Sequence, residues 1–302
     1  MVCDYQMSEN MVEDHWAGTR SLIIRGLVNA TELLPYANYQ SVKPSKHTAC
    51  GRNQYWRQRQ LLEIVGGLDS NEHEFPFHVM VFRPADKNRP TGTLCGGAII
   101  DRHWVITAAH CCPIIEVVYG FGKDVNFQNY FDTEKATKRE IVVRSVFHPL
   151  FNESSLRYDF CLVKTLRPLY DDIDSDWSIQ PICLTSANCS ESRASSMNNT
   201  LIATGLGFAS NKGTRPPTLR HNYLPIVNQS YCEWFYEANL TNNAVFCAGN
   251  VIDGGEGTCE GDSGGPLFSY QDGHFILEGL SSFVSTRGCA GIYRYWTINI
   301  VI

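Results

Sequence analysis

Three short stretches carry residue types that could together perform nucleophilic chemistry. Gly261-Asp262-Ser263-Gly264-Gly265-Pro266 places a hydroxyl, a carboxylate and three glycines within six residues. A serine hydroxyl is a poor nucleophile until a base takes its proton, and the base needs a third group to hold its tautomer and stabilise the imidazolium. Thr107-Ala108-Ala109-His110-Cys111 and Tyr158-Asp159-Phe160-Cys161-Leu162-Val163 contain both, in the chain order His110, Asp159, Ser263. The glycines beside Ser263 let the backbone approach a substrate carbonyl, where the amide groups of Gly261 and Ser263 could hold an oxyanion. A glycine-rich turn with a solvent-facing serine is the competing reading of the first stretch; its complementary companions weigh against it.

Such groups must be positioned by a framework, and the segments between them read as strands. Phe77–Phe82, Gly97–Ile100, Trp104–Thr107, Glu116–Tyr119, Ile141–Val146, Phe160–Lys164, Leu201–Thr204, Pro266–Ser269 and Phe275–Phe283 are short apolar runs separated by Gly, Pro, Asn and Asp. That spacing predicts an all-β chain of the barrel type. Residues 1 to about 49 lack sustained periodicity and read as a poorly ordered pro-region. Arg52, Arg57 and Arg59 follow, as a solvated linker or a processing site.

The 302 residues, 43% of them hydrophobic, suffice for a large core. A net charge of −6 without a clustered basic face excludes an electrostatically driven nucleic-acid partner. No apolar run approaches the roughly 20 residues of a membrane-spanning helix. Twelve cysteines point to an oxidising compartment, and six glycosylation sequons, beginning at Asn29, Asn152, Asn188, Asn198, Asn228 and Asn239, agree with export. Met1–Arg20 is polar and acidic and has no secretory-signal pattern, so either the true start lies upstream, the favoured reading, or export uses another route. No His/Cys cluster has zinc spacing, and the run Asp171, Asp172, Asp174, Asp176 reads as a solvated loop.

With Ile64-Val65-Gly66-Gly67 as a fourth match, these stretches resemble the trypsin/chymotrypsin family of serine endopeptidases, from Ile64 to about Tyr295. The resemblance implies two six-stranded antiparallel Greek-key β-barrels, residues 64–302, with His110 and Asp159 on the first, Ser263 on the second and the active site between them. Residues 1–63 become a pro-region or linker tethered through Cys50. The implied function is peptide-bond hydrolysis through an acyl-enzyme, without cofactor or metal, in a secreted zymogen. Protein or peptide substrates, an activating protease and serine protease inhibitors are the implied partners. A protease homologue that binds without turnover is the alternative.

The same resemblance implies the pairs Cys95–Cys111, Cys232–Cys247, Cys259–Cys289 and Cys50–Cys183. One further family bridge is missing at both ends, where Leu201 and Ser269 stand. Cys112 and Cys161 each lie two residues beyond His110 and Asp159, and we expect them to pair because those two side chains must meet. Cleavage before Ile64 would free an amine that pairs with Asp262; Glu63 at that bond, in place of Arg or Lys, implies an unusual activator or trimming after Arg59. In the specificity pocket Gly257 replaces the aspartate of trypsin-like members, and Thr258, Ser281 and Gly291 are uncharged; Glu260 completes the set lining the site. Ser282-Phe283-Val284 resembles the family's Ser-Trp-Gly, with Val284 narrowing the entrance. Small or medium apolar residues are the expected preference, aromatic ones second. After Tyr293 only nine residues remain, and Trp296 and Ile298 are expected to begin a helix.

Overall fold

Runs such as His78-Val79-Met80-Val81-Phe82-Arg83 combine β-branched and long apolar side chains, and they bury on both faces when a sheet closes around them. The computed structural model describes residues 50–53, 67–87, 92–121, 138–171, 177–184, 200–208, 215–236, 245–249, 257–283 and 299–301. The strands are β1 (Leu68–Asp69), β2 (His78–Arg83), β3 (Thr93–Asp101), β4 (Trp104–Thr107), β5 (Glu116–Tyr119), β6 (Lys138–Phe147), β7 (Cys161–Thr165), β8 (Cys183–Leu184), β9 (Thr200–Gly205), β10 (Arg220–Val227), β11 (Phe246–Ala248), β12 (Pro266–Gln271), β13 (His274–Phe283) and β14 (Asn299–Val301).

The first half is a closed antiparallel barrel in the order β2-β3-β4-β7-β6-β5. The second half is an eight-stranded sheet in the order β1-β10-β11-β14-β13-β12-β9, with β8 joined in parallel to β13 and a further β9–β10 pairing. Of the two six-stranded barrels expected, one is therefore present as a closed barrel. The other half is a larger sheet because it recruits β1 and β8, two-residue pieces from outside the second half.

Asn228 closes β10 and opens helix α1 (Gln229–Tyr236): its side-chain oxygen accepts from Ser230 N at 3.0 Å, a capping arrangement that satisfies one of the helix's first amides. Asn228 and Asn152, two of the sequon asparagines, are exposed. Asn299–Val301 pairs with β11 and β13 as a strand, where a helix was expected. Edge groups on β11 and β13 are thereby satisfied by the last residues of the chain. Trp296 and Ile298 lie outside the described residues.

The two halves share one core. Phe75 and Phe77 lead into the barrel, and Phe268 and Phe275 come from the large sheet; all four are buried in one cluster. Phe77 and Phe268 meet edge to face with centroids 4.9 Å apart, a geometry worth about 0.5–1.5 kcal/mol beyond area burial. His78 on β2 reaches Thr204 on β9 through Nδ1 at 3.0 Å, and burial pulls its pKa down to about 3, so it crosses the seam as a neutral ring. The segment before the second half is also tied down. Gly51 N donates to Pro181 O, Phe275 N donates to Gly51 O, both at 2.7 Å, and Cys50 is bonded to Cys183.

Candidate active site

β4 delivers Thr107 and Ala108 to the seam, and the chain then turns through a short 3-10 segment, Ala109–Cys111, that turns His110 out of the barrel wall. Asp159 precedes β7, the strand paired with β4, so register alone brings the two residues together: Thr107 lies opposite Cys161. Asp159 is fully buried and accepts three hydrogen bonds. His110 N donates to Oδ1 at 2.8 Å, His110 Nδ1 lies 2.7 Å from Oδ2, and Ser282 Oγ donates to Oδ2 at 2.6 Å. A buried carboxylate needs such a set, because an unpaired charge in this position would cost several kcal/mol.

The loop carrying Ser263 is held by backbone contacts to barrel strand β3, to β13 and within itself. Gly96 N donates to Ser263 O at 2.7 Å, Gly264 N to Ser281 O at 2.6 Å and Gly265 N to Asp262 O at 2.8 Å. A Cβ at Gly264 (φ +76°) would collide with Thr107 Oγ1 and stand 2.7 Å from Gly96 O. Glycine is required there because the nucleophile loop and the histidine strand meet backbone to backbone. Ser263 O is 3.8 Å from Cys111 Sγ, which is 3.6 Å from His110 Nε2. Ser263 Oγ makes no hydrogen bond with the described residues, His110 included. Catalytic hydrogen bonds in free enzymes are often long and tighten only when substrate binds.

Asp262 faces away from the seam, into a strap formed by the end of β9. Gly207 N donates to Oδ1 at 2.6 Å and Cys259 N to Oδ2 at 2.9 Å. Burial pushes the carboxyl up to about 6, against the lowering effect of those two amides and of the Arg215 charge. Ile64, the other half of the expected switch, lies outside the described residues. Gly261 has φ +98°, a left-handed conformation open to glycine, and the Arg215 guanidinium covers it.

Of the expected pocket residues, Thr258 and Ser281 are buried and joined through their hydroxyls at 3.0 Å. Gly257 O accepts from Asn222 Nδ2 at 3.3 Å, and Glu260 is exposed. Phe283, half-buried, meets Tyr236 edge to face at 5.6 Å. Val284 and Gly291 lie outside the described residues. A cavity of about 300 Å³ on the histidine side is lined by Arg83, Asp86, Ala109, Cys112, Phe147 and Phe151, among others.

Disulfides surround the site. Cys95–Cys111 lies beneath His110, Cys112–Cys161 crosses between β7 and the histidine turn, and Cys232–Cys247 joins α1 to β11. Cys112–Cys161 spans 49 residues, worth about 4 kcal/mol of unfolded-chain entropy. Cys259 is disulfide-bonded, while its expected partner Cys289 lies outside the described residues. At the two positions where a further bridge was expected to be missing, Leu201 is fully buried, and Ser269 Oγ donates to Glu278 Oε1 at 2.7 Å. Cys95, His110 and Cys111 are the described residues whose ligand-type atoms cluster within 4.8 Å, but the two sulfurs are bonded to each other and offer no thiolate. No described helix is long and apolar enough to cross a membrane.

Three contributions have no signature in the local sequence. Ser282 was expected as part of a substrate strand, whereas its hydroxyl bonds to Asp159. Gly96 and Arg215 carried no local signal, since each meets its partner across a long stretch of chain.

Comparison with known proteins matches this arrangement to a family model described as trypsin over residues 64–300. Similar proteins include human (Homo sapiens) chymotrypsin-like elastase family member 1, 29% identical over 75% of this chain and 83% of that protein. Coagulation factor IX of Cavia porcellus is 30% identical, over 79% of this chain and 78% of its own. The suppressor of tumorigenicity 14 protein homolog of Bos taurus is 28% identical over 80% of this chain but only 27% of its own length, so this chain spans about a quarter of that relative. A match over more than half of the chain, on a fold that brings His110, Asp159 and the Ser263 loop to one seam, places the chain in the trypsin family of serine proteases.

Proposed function

We propose that the chain is an endopeptidase that hydrolyses peptide bonds through an acyl-enzyme on Ser263. The observation that carries this reading is the 2.7 Å His110 Nδ1–Asp159 Oδ2 contact at the seam onto which the Ser263 loop is pressed. With Nδ1–H held by the carboxylate, Nε2 keeps a lone pair for the serine proton. Ser263 Oγ attacks the peptide carbonyl as its proton passes to Nε2, and the oxyanion is stabilised by the Gly261 and Ser263 amides. His110 then protonates the leaving amine, and the acyl-enzyme forms. Water, deprotonated by Nε2, attacks the ester, and Ser263 leaves with its proton restored. Each oxyanion donor is worth roughly 2.7–4 kcal/mol in such sites.

The pro-region reading assigns residues 1–63 to a pro-region or linker that stays tethered through Cys50–Cys183 after cleavage before Ile64, with the protease domain at 64–302. The new amine would pair with Asp262. An exported, disulfide-bonded protein meeting an activator, protein substrates and protease inhibitors fits the cysteine usage and the exposed sequon asparagines Asn152 and Asn228.

The uncharged Thr258–Ser281 pair and Gly257 favour small or medium apolar side chains. Differences at the methyl scale discriminate by only about 1–3 kcal/mol, so the preference is soft. A peptide-library digest by the chain cut before Ile64 is expected to show cleavage after Ala, Val or Leu, with aromatic residues second. A profile dominated by Lys or Arg overturns the pocket assignment, and the absence of all turnover favours the non-catalytic homologue.

A further inference from the structure

Asp159 lies outside the strand ladders that flank it. β7 pairs with β4 up to Thr107–Cys161 and with β6 up to Phe147–Cys161, so both ladders stop two residues short of Asp159. The segment it occupies is sharply bent. Phe160 N donates to Tyr158 O at 2.8 Å, which closes a three-residue turn with Asp159 at its centre. Tyr158 has φ +54°, a left-handed conformation that bulky side chains rarely adopt and that persists only where the surroundings over-determine it. His148 grips this bend from both ends. Its ring lies flat on the Tyr158 ring, with centroids 4.8 Å apart and 5° between the planes, and it tilts against the Phe160 ring at 6.2 Å. His148 N donates to Phe160 O at 3.0 Å, and Phe151 N donates to His148 O at 2.9 Å. Leu150 N donates to His148 Nδ1 at 3.1 Å, so that nitrogen carries no proton. Burial, which holds the ring below the usual histidine range, agrees with a neutral imidazole.

We propose that His148 is a positioning residue that fixes the bend carrying Asp159, and through it the aim and tautomer of the His110 ring. This rests on the reading of His110 as the base and Asp159 as the carboxylate that orients it. The ring contact sets Tyr158, the main-chain bond sets Phe160, and the backbone of Asp159 is determined between them. The carboxylate then stands where His110 N, His110 Nδ1 and Ser282 Oγ all reach it. Without the ring, Tyr158 is free to relax toward an ordinary conformation, and the carboxylate moves with it. The role is one of shape rather than charge: a flat ring of similar size serves, whereas a small or branched side chain does not.

The test compares the full chain, cut before Ile64, with its His148→Ala and His148→Phe forms. His148→Ala is expected to lower kcat at least about tenfold, within the scale of an ångström-sized misplacement, with KM held within about threefold. His148→Phe keeps the stack on Tyr158 and loses only the Leu150 bond, which water can replace at that exposed residue. It should return kcat to within about threefold of the wild type. If His148→Ala does not fold, His148→Leu, which fills the space without a flat ring, is held to the same expectation. A smaller loss in the ringless form, a fall in Tm alone, or a loss of kcat that phenylalanine does not recover overturns the proposal. A second readout needs no turnover. In the Ser263→Ala background the His110 Nδ1 proton held by Asp159 should give a low-field proton NMR resonance, which His148→Ala should shift upfield or broaden away and His148→Phe should keep. That change supports the role of His148 even if the chain proves inactive, and an unmoved resonance refutes it even if the chain hydrolyses peptides.

Discussion

Asp159→Asn is expected to lower kcat about 10⁴-fold while the chain stays folded, the scale seen when a triad histidine is held in the wrong tautomer. Asp159 accepts from three donors, two of them at Oδ2. An asparagine that keeps its carbonyl toward His110 N presents an NH₂ group where Oδ2 was. Ser282 can rotate its hydroxyl to accept from that group. His110 must do the same through Nδ1, which moves the ring proton to Nε2. The nitrogen that should take the Ser263 proton then already carries one. Steady-state kinetics at pH 8, with far-UV circular dichroism to verify folding, checks this. A loss below tenfold would mean that His110 does not depend on Asp159 for its tautomer.

Asp262→Asn is the second large effect, and it acts on activation. The proposed Ile64 ammonium–Asp262 pair would be a buried ion pair, and breaking such pairs costs about 3–5 kcal/mol, or roughly 10²–10⁴-fold in the population of the competent state. The cut Asp262→Asn chain should therefore lose at least about 10²-fold in kcat/KM. The uncut chain carries a matching pH signature. Burial raises the Asp262 pKa from 3.8 to about 6, so in that window the folded state binds a proton that the unfolded state does not. Stability from this group is present below pH 3.8 and is lost as pH rises through about 6. Denaturant titrations between pH 4 and 7 should show that decline in the uncut wild type and a smaller one in uncut Asp262→Asn. Equal slopes would place the carboxyl's proton affinity elsewhere.

Much of the framework was legible before any coordinates, because strands in a closed barrel bury short apolar runs between turn residues. Trp104–Thr107 and Glu116–Tyr119 coincide with β4 and β5, and the other expected runs fall on strands within a few residues of their ends. β10 escaped notice because His221, Asn222 and Pro225 break its apolar run, although Pro225 sits opposite Thr200 near the strand's end. Helix α1 is two turns long, too short for periodicity to reveal, and is set by the Asn228 cap. The candidate residues His110, Asp159 and Ser263 could be picked out because their chemistry is local to three stretches. Arg215 was not, since it meets Gly261 only after the strap has folded back. Ser282 was seen as strand and missed as a donor, because which hydroxyl reaches Asp159 depends on how the two halves dock.

Ser263 is proposed to be a nucleophile armed by cleavage before Ile64. Labelling with a fluorophosphonate probe tests it most directly, using the chain cut through an engineered site before Ile64, the uncut chain and a cut Ser263→Ala control. The account predicts covalent labelling of the cut chain at Ser263, little labelling of the uncut chain and none of the control. A folded, cut chain that takes no label would contradict it.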